Sequence, residues 1–341
     1  MEGKQLSVWT ANDRGKTSLH LAIEHRLSSD FVRTLIEIWD ADGSKKRHYQ
    51  TPVYLRKNLL PKYTFIHGKD NDGYTPFDRA FSFRCAATIA VLLEYEAECN
   101  APDERGVTPF FKVVKENRQS CDTELFNVLM NHVPLDYRDN YGRTALHYAI
   151  IHHANDVIIY KLMHSETVNV QDIDGKTPLH HAAMQTYADP IYTSLAQSVI
   201  YSLIGMDGKE KMLKIRDRSG HTALHKAVLY RNMAAVKTLI KHGASLNDPD
   251  GDGRLPLEYT FDNAACDILA LVALGANPNA QHPDGCTPLH MLLCKQQPLG
   301  IWARNLMQAG ARDDIPNKSG ITPAMMMTAF TKQTGYDFYA H

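Results

Sequence analysis

The sequence Asp172-Ile-Asp-Gly175-Lys-Thr177-Pro178-Leu179-His180 recurs, in clean or altered copies, along this 341-residue chain. A second clean copy reads Asp217-Arg-Ser-Gly220-His-Thr222-Ala223-Leu224-His225. The glycines of all copies stand at 15, 73, 106, 142, 175, 220, 253, 285 and 320, at intervals of 58, 33, 36, 33, 45, 33, 32 and 35 residues. A period near ~33 residues predicts one small unit that stacks on copies of itself, and the two long intervals predict insertions.

Each position of the pattern has a mechanical role. The Gly permits a positive φ in a tight turn, and the Thr hydroxyl caps the helix that follows. Pro suits the first helical position. The Leu, and an Ala three residues later, then face inward and allow two helices to approach. A second apolar helix follows and ends at a Gly-Ala sequence, as at Gly243, Gly275 and Gly310.

This pattern resembles the ankyrin-repeat family over nearly the whole chain. The resemblance implies an all-α fold, an ankyrin-repeat solenoid of about nine helix–turn–helix repeats with turn or β-hairpin fingers. It implies a single domain over residues 1–341 with insertions at about 38–69 and 187–216. The repeats are expected to begin near residues 12, 70, 103, 139, 172, 217, 250, 282 and 317. In this family the His of Thr-x-Leu-His braces its own repeat and the next one.

The bulk composition narrows the function. The net charge is −1, so no global field favours nucleic acid or an anionic membrane. The longest apolar run, Ile268–Leu274, is far shorter than a membrane helix. The first residues are not followed by an apolar stretch, so no secretory signal is predicted. The six Cys show no disulfide spacing, which fits a reducing compartment. We therefore expect an intracellular, cytoplasmic protein without a cofactor.

The two insertions have a simple interpretation and an alternative. The first combines aromatic residues with cations, and basic residues interleaved with aromatics can contact phosphates and stack on bases. A solvated loop is the simpler interpretation, and nucleic acid or anionic lipid is the less favoured alternative. The cations of this possible basic patch are Lys45, Lys46, Arg47, Arg56 and Lys57. In the second insertion, residues 191–204 predict a longer helix and residues 205–214 an extended, mildly basic turn. The simpler interpretation of this insertion is a lengthened connection, and the alternative is a contact with a partner.

The sequence offers weak signals for metal binding and catalysis. Cys286, His290 and Cys294 are spaced by four residues, but Cys286 precedes the helix and no fourth ligand follows, so no metal is predicted. The run from Asp248 to Gly253 begins like a calcium loop but lacks the acid it needs at the twelfth position. No phosphate-binding or nucleophile motif is present. We therefore expect no enzyme, although an active site distributed over the repeats or the 38–69 insertion stays an alternative.

The resemblance places a binding surface on the concave face, at the turn tips and the first helices. The expected partner is a protein, and the chain is either a eukaryotic adaptor or a bacterial effector acting in the host cytosol. Aromatic residues and Arg are the usual anchors of such surfaces. The partner-binding residues predicted on this basis are Tyr74, Phe83, Arg84, Arg105, Tyr141, Arg143 and Tyr230.

Overall fold

The computed structural model describes residues 11–41, 64–117, 123–185, 190–206, 209–262, 268–294, 300–335 and 338. Every regular element among these residues is a helix. The expected all-α ankyrin fold is therefore confirmed. The fingers are turns, one of the two forms expected, and the described ranges contain no β-strand. Each finger closes within one turn, too short a span for strands to pair.

Most turns are followed by a pair of helices, although the helices after the first, fifth and last turns depart from this. In chain order they are α1 (Ser18–Glu24), α2 (Ser29–Ala41), α3 (Thr64–His67), α4 (Pro76–Ser82), α5 (Ala86–Glu94), α6 (Pro109–Glu116), α7 (Thr123–Met130), α8 (Ala145–Ile151), α9 (Asp156–Leu162), α10 (Pro178–Met184), α11 (Pro190–Gly205), α12 (Lys209–Lys214), α13 (Ala223–Leu229), α14 (Met233–Lys241), a 3₁₀ helix (Pro256–Asp262), α15 (Ile268–Ala273), α16 (Pro288–Leu293), α17 (Gly300–Gln308) and α18 (Pro323–Thr334).

The chain divides into two compact units. Unit 1 comprises Met1–Asn140 and His152–Ile158, and unit 2 comprises Tyr141–Ile151 and Ile159–His341. In unit 1, α1 contacts α4 and α2 contacts α5. In unit 2, α8 contacts α10, α10 contacts α13, and α11 contacts α14. First helices thus pack on first helices and second helices on second helices. The single continuous domain over residues 1–341 stays a prediction.

The core of each unit follows the repeated pattern. In unit 1, the rings of Phe110 and Phe126 stack with their centroids 5.4 Å apart. In unit 2, Leu179 and Leu224 are fully or almost fully buried, at 0% and 1% exposure. The Ala three residues after each predicted core Leu is buried too, which lets the first helices of neighbouring repeats approach closely. These pairs are Leu19/Ala22, Leu146/Ala149, Leu179/Ala182 and Leu224/Ala227.

The second insertion is more helical than its sequence indicated. The predicted long helix is present as α11, but the expected extended turn contains α12. Lys, Glu, Met and Leu are good helix formers, and burial of Met212 and Leu213 anchors this short helix. The first insertion is described only at its edges, and the possible basic patch (Lys45, Lys46, Arg47, Arg56 and Lys57) lies outside the described residues.

Candidate functional site

The turn of each repeat is closed by its first side chain. In the fifth copy, Asp172 Oδ1 accepts the backbone N–H groups of Asp174 and Lys176, both at 2.9 Å. Asp217 and Asp250 accept the corresponding pairs in the next two copies. All nine turn glycines have φ between 71° and 87°, as the sequence predicted.

Successive turns are joined by backbone hydrogen bonds. In unit 2, the N–H of Ile173 donates to the carbonyl of Tyr141 at 2.9 Å, and that of Arg218 donates to Asp174 at 2.9 Å. The N–H of Gly251 donates to the carbonyl of Ser219 at 3.2 Å. The tips of four successive turns therefore lie side by side, and their exposed side chains form one row.

The repeat His is a neutral brace between copies. In the fifth copy, the N–H of Thr177 donates to His180 Nδ1 at 3.2 Å, so this nitrogen carries no proton. Nε2 then donates to the carbonyl of His221 in the next turn, at 3.0 Å. The same contacts join His20 to Tyr74, His147 to Lys176 and His290 to Ile321. Burial lowers the pKa of His147, His180 and His225 to about 4, so these side chains stay neutral.

A second contact, present within several of the copies, was not predicted from the sequence. The turn Asp meets a side-chain donor nine residues later. Arg79 Nη2 donates to Asp70 at 2.6 Å, His181 Nε2 to Asp172 at 2.8 Å, and Lys226 Nζ to Asp217 at 2.7 Å. Tyr259 donates its hydroxyl to Asp250, and Lys112 lies 3.8 Å from Asp103. The sequence contained a signal for this contact. The copies that lack Asp at the first turn position also lack a side-chain donor nine residues later, and these pairs are Asn12/Leu21, His282/Met291 and Asn317/Met326.

These contacts hold the turn carboxylates ionised. Burial acts to raise the pKa of Asp172, but the hydrogen bond from His181 and two backbone N–H groups outweigh it and lower the pKa to about 2. Burial opposes ionisation of Asp70 and Asp217 in the same way, and their partners likewise hold the pKa below its usual value. A buried charge without such a partner would cost several kcal/mol, roughly 3–5 by analogy with broken ion pairs.

The joint between the sixth and seventh copies carries a continuous polar chain. Lys226 Nζ donates to His221 Nδ1 at 3.0 Å, and His221 Nε2 donates to the hydroxyl of Tyr259 at 2.6 Å. The hydroxyl of Tyr259 in turn donates a hydrogen bond to Asp250 Oδ2. Burial and the adjacent Lys226 lower the pKa of His221, which keeps the ring neutral between its two partners. Both carboxylate oxygens of Asp250 thus accept hydrogen bonds, Oδ1 from the turn backbone and Oδ2 from Tyr259.

The seventh copy replaces the His brace by a different pair. Its Thr and His positions hold Leu255 and Glu258, and its helix is a 3₁₀ helix. Glu258 Oε2 accepts the N–H of Leu255 at 3.2 Å, which substitutes for the normal cap. His282, which stands where other turns have Asp, donates Nε2 to Glu258 Oε1 at 2.6 Å. Because a carboxylate cannot donate to a backbone carbonyl, the next turn supplies the donor instead.

The predicted partner-binding residues of unit 1 have separate neighbours. Tyr74 is 46% exposed, and the guanidinium of Arg79 lies 4.5 Å from its ring centroid. Phe83 is half-buried beneath Arg26, at 5.2 Å. Arg84 forms an ion pair with Glu116 at 2.7 Å, and Arg105 is exposed at a turn tip. The structure thus leaves Tyr74, Arg84 and Arg105 exposed and Phe83 half-buried.

Those of unit 2 lie on the turn row and at a helix end. Tyr141 is 44% exposed, and Arg143 lies 5.1 Å from its ring centroid. Tyr230 ends α13 and is 43% exposed. Ile173, which the sequence argument did not select, is 43% exposed beside Tyr141. Its turn position and its apolar character could have indicated it.

The described residues contain no group of three His, Cys, Asp or Glu placed to hold a metal ion. His290, part of the Cys286–Cys294 spacing, is engaged by Thr287 and Ile321. In the ranges covered by the structure, no helix is long and apolar enough to cross a membrane.

Comparison with known proteins identifies the type of repeat. A family model described as ankyrin repeats (3 copies) matches residues 92–172, 112–198 and 151–250. The B-cell lymphoma 3 protein homolog of Mus musculus is 34% identical over 116 residues, which cover 33% of this chain and 25% of that protein. Protein phosphatase 1 regulatory subunit 27 of Homo sapiens is 39% identical over 75 residues, which cover 22% of this chain and 49% of that protein.

The chain thus spans between a quarter and about half of the length of these curated relatives. The crystal structure of the ankyrin repeat domain of Bcl-3 superposes with a TM-score of 0.53 at 27% identity, and covers 65% of this chain and 95% of that one. Within this chain, the turn glycines, the His braces and the paired helices recur from copy to copy, as expected of one repeat type. This chain therefore contains ankyrin repeats, which the family model matches within residues 92–250.

Proposed function

We propose that this chain is a non-enzymatic interaction module that binds a partner protein through its turn tips and first helices. The observation that carries the proposal is the turn row of unit 2, where backbone hydrogen bonds place the exposed Tyr141 and Ile173 side by side. A surface fixed by backbone hydrogen bonds loses little conformational entropy on binding. Exposed aromatic residues on such a surface are the usual anchors of protein interfaces.

The electrostatics of the turns support recognition rather than catalysis. The repeat His contacts leave His180 neutral and held between its own turn and the next one, and Asp172 and Asp217 are held ionised by partners in their own repeats. These titratable groups are occupied in maintaining the stack. We further propose that the module works inside cells, either as a eukaryotic adaptor or as a bacterial effector that engages a host protein.

The test compares partner capture by wild type and by a variant lacking four exposed anchors. The variant is Tyr74→Ala/Arg105→Ala/Tyr141→Ala/Tyr230→Ala. Immobilised wild type is expected to retain a specific protein from eukaryotic cell lysate, and the variant is expected to lose it. Purified partner and titration calorimetry then measure the loss, which we expect to reach at least about tenfold in Kd for residues of this kind.

A matched control removes exposed side chains from second helices and the last helix. It is Phe31→Ala/Val157→Ala/Ile301→Ala/Lys332→Ala, all at exposed positions. Circular dichroism and thermal unfolding establish that both variants are folded. Equal partner loss in the two variants, or retention by both, would contradict a binding surface on the turns and first helices.

A further inference from the structure

A block of positive charge coincides with the sixth copy. Residues 209–241 contain nine Lys and Arg against Glu210 and Asp217, a net charge of 9 − 2 = +7. The whole chain carries −1, so the remaining residues carry −8. The positive charge is therefore concentrated in one repeat of an otherwise acidic protein.

Two of these cations are used by the fold. Lys226 is 7% exposed and its Nζ lies 2.7 Å from the carboxylate of Asp217. Arg216 donates from Nη1 to the carbonyls of Gly220 and Pro249, at 2.8 and 2.5 Å. Both side chains stabilise the sixth turn, which gives these two cations a structural role that does not extend to the other cations of the block.

Other cations of the block are exposed and form two pairs. Lys211 and Lys214 are three residues apart on α12, and Lys237 and Lys241 are four apart on α14, so each pair shares a helix face. Arg218 is exposed at the turn tip that follows α12. We call these five residues the basic edge. Within the described ranges, no carboxylate forms an ion pair with Lys211, Arg218, Lys237 or Lys241.

Helix α11 connects the two pairs. It contacts both α12 and α14, and α12 begins four residues after α11 ends. Tyr201 on α11 is 60% exposed, and its ring lies edge-on to His242 with centroids 5.1 Å apart. His242 follows Lys241 directly. An exposed aromatic ring thus contacts the residue that follows Lys241, and it stands on the helix that leads into the other pair.

We propose that the basic edge and Tyr201 bind a short acidic segment of a partner protein that carries an apolar side chain. This inference rests on the proposed function, since it names the chemistry of a partner. The positive charge would attract the acidic residues, and the exposed ring of Tyr201 would bury the apolar one.

The neighbouring copies disfavour a long polyanion. The fifth turn carries the exposed Asp174 and the seventh carries the exposed Asp252. Repeats stack at about the 8–10 Å spacing of packed helices, so a nucleic acid strand or a flat anionic membrane would extend from the basic edge onto these carboxylates. A short acidic protein segment stays within one repeat and avoids that repulsion.

The test uses fluorescence anisotropy with three labelled probes. They are a Glu-rich peptide of about 15 residues with one Leu, the same peptide with Ser for Leu, and an oligothymidylate of similar charge. A flotation assay with vesicles of phosphatidylserine and phosphatidylcholine tests lipid. Wild type is expected to bind the Leu peptide best, and to bind it more weakly as salt is raised through the range where the Debye length falls to about 8 Å.

The edge variant is Lys211→Glu/Lys214→Glu/Lys237→Glu/Lys241→Glu. It is expected to lose at least about tenfold in affinity for the Leu peptide, as electrostatic complementarity becomes repulsion. Tyr201→Ala, which leaves the charges in place, is expected to abolish the preference for Leu over Ser. That second result separates a defined site from general attraction between opposite charges.

The control reverses four exposed cations outside the block, so that its total charge matches that of the edge variant. It is Lys115→Glu/Arg138→Glu/Lys318→Glu/Lys332→Glu. This variant is expected to keep peptide binding within about twofold of wild type. Equal losses in the two variants, absence of peptide binding at low salt, or tighter binding of the oligonucleotide or vesicles would overturn the inference.

The two proposals fail in different ways. If the edge variant keeps full peptide binding while the four-anchor variant still loses its captured protein, the inference is wrong and the proposed function stands. If the peptide results hold but the turn residues contribute nothing to partner binding, the proposed turn surface is wrong instead.

Discussion

Replacing His282 by Asp tests the charge pair that substitutes for the His brace in the seventh copy. His282→Asp restores the residue that most other turns carry, yet it places a second carboxylate beside Glu258. The Nε2 atom that it removes lies 2.6 and 2.8 Å from the two carboxylate oxygens of Glu258. Both side chains are almost buried, at 8% and 5% exposure. We therefore expect a substitution towards the common pattern to destabilise the protein.

The size of the effect follows from the geometry. The Asp side chain is shorter than the imidazole, so its carboxylate lies farther from Glu258, and two unit charges about 4 Å apart in an effective dielectric near 20 repel by roughly 4 kcal/mol. The folded protein avoids this by protonating one carboxyl, which costs about 1.4 kcal/mol per pH unit above an unfolded pKa near 4. The loss of stability is thus limited to about 4 kcal/mol at pH 7 and falls to about 1 kcal/mol at pH 5.

The sign of the pH dependence is fixed by the shared proton. Burial already raises the pKa of Glu258, and a neighbouring carboxylate raises it further. A group whose pKa is raised in the folded state favours folding when protonated, so its stabilisation is lost as the pH rises. The difference in stability between His282→Asp and wild type should therefore shrink as the pH falls from about 7 to about 5.

The assay is urea unfolding followed by far-ultraviolet circular dichroism, with wild type and variant compared at each pH. Glu258→Gln/His282→Asp removes the second charge and should recover most of the loss at pH 7. His132→Asp, at an exposed position, is the matched control and should change stability by less than about 0.5 kcal/mol. An unchanged midpoint for His282→Asp at pH 7, or a loss that does not shrink at pH 5, would refute the electrostatic argument.

Two further predictions concern the turns. Asp172→Asn should lower stability at pH 7 by roughly 2 kcal/mol, because the folded pKa of Asp172 is about 2 against an ordinary value of 3.8. That stabilisation is lost as the pH falls towards about 2, so the free energies of unfolding of wild type and variant should converge in acid. Gly220→Ala should destabilise far more than Gly320→Ala in thermal unfolding: both have φ near 76°, but a Cβ at Gly220 would lie 2.2 Å from the backbone N of Gly251, whereas nothing lies within 4 Å at Gly320. Equal melting temperatures for the two Gly variants would contradict the close approach of successive turns.

The sequence by itself determined the repeating unit. The positive φ of the turn Gly, the Thr cap at Thr177, and the buried Leu and Ala all follow from preferences that act over a few residues. The same spacing recurs along the chain, so local preference and the repeat period agree. The ankyrin fold was therefore predictable without knowledge of any contact between copies. The resemblance also gave the role of His180, whose contacts the structure confirms.

Only the tertiary structure decided what neighbouring copies do to one another. It showed that the turn Gly is needed for close approach as well as for φ, since the N of Arg218 would lie 2.8 Å from a Cβ at Gly175. It showed that Glu258 and His282 replace the brace together, and it brought Tyr201 beside His242. These partners come from different repeats, some 24 to 43 residues apart. Local propensity carries no information over that distance, because the contacts exist only after the helices have packed.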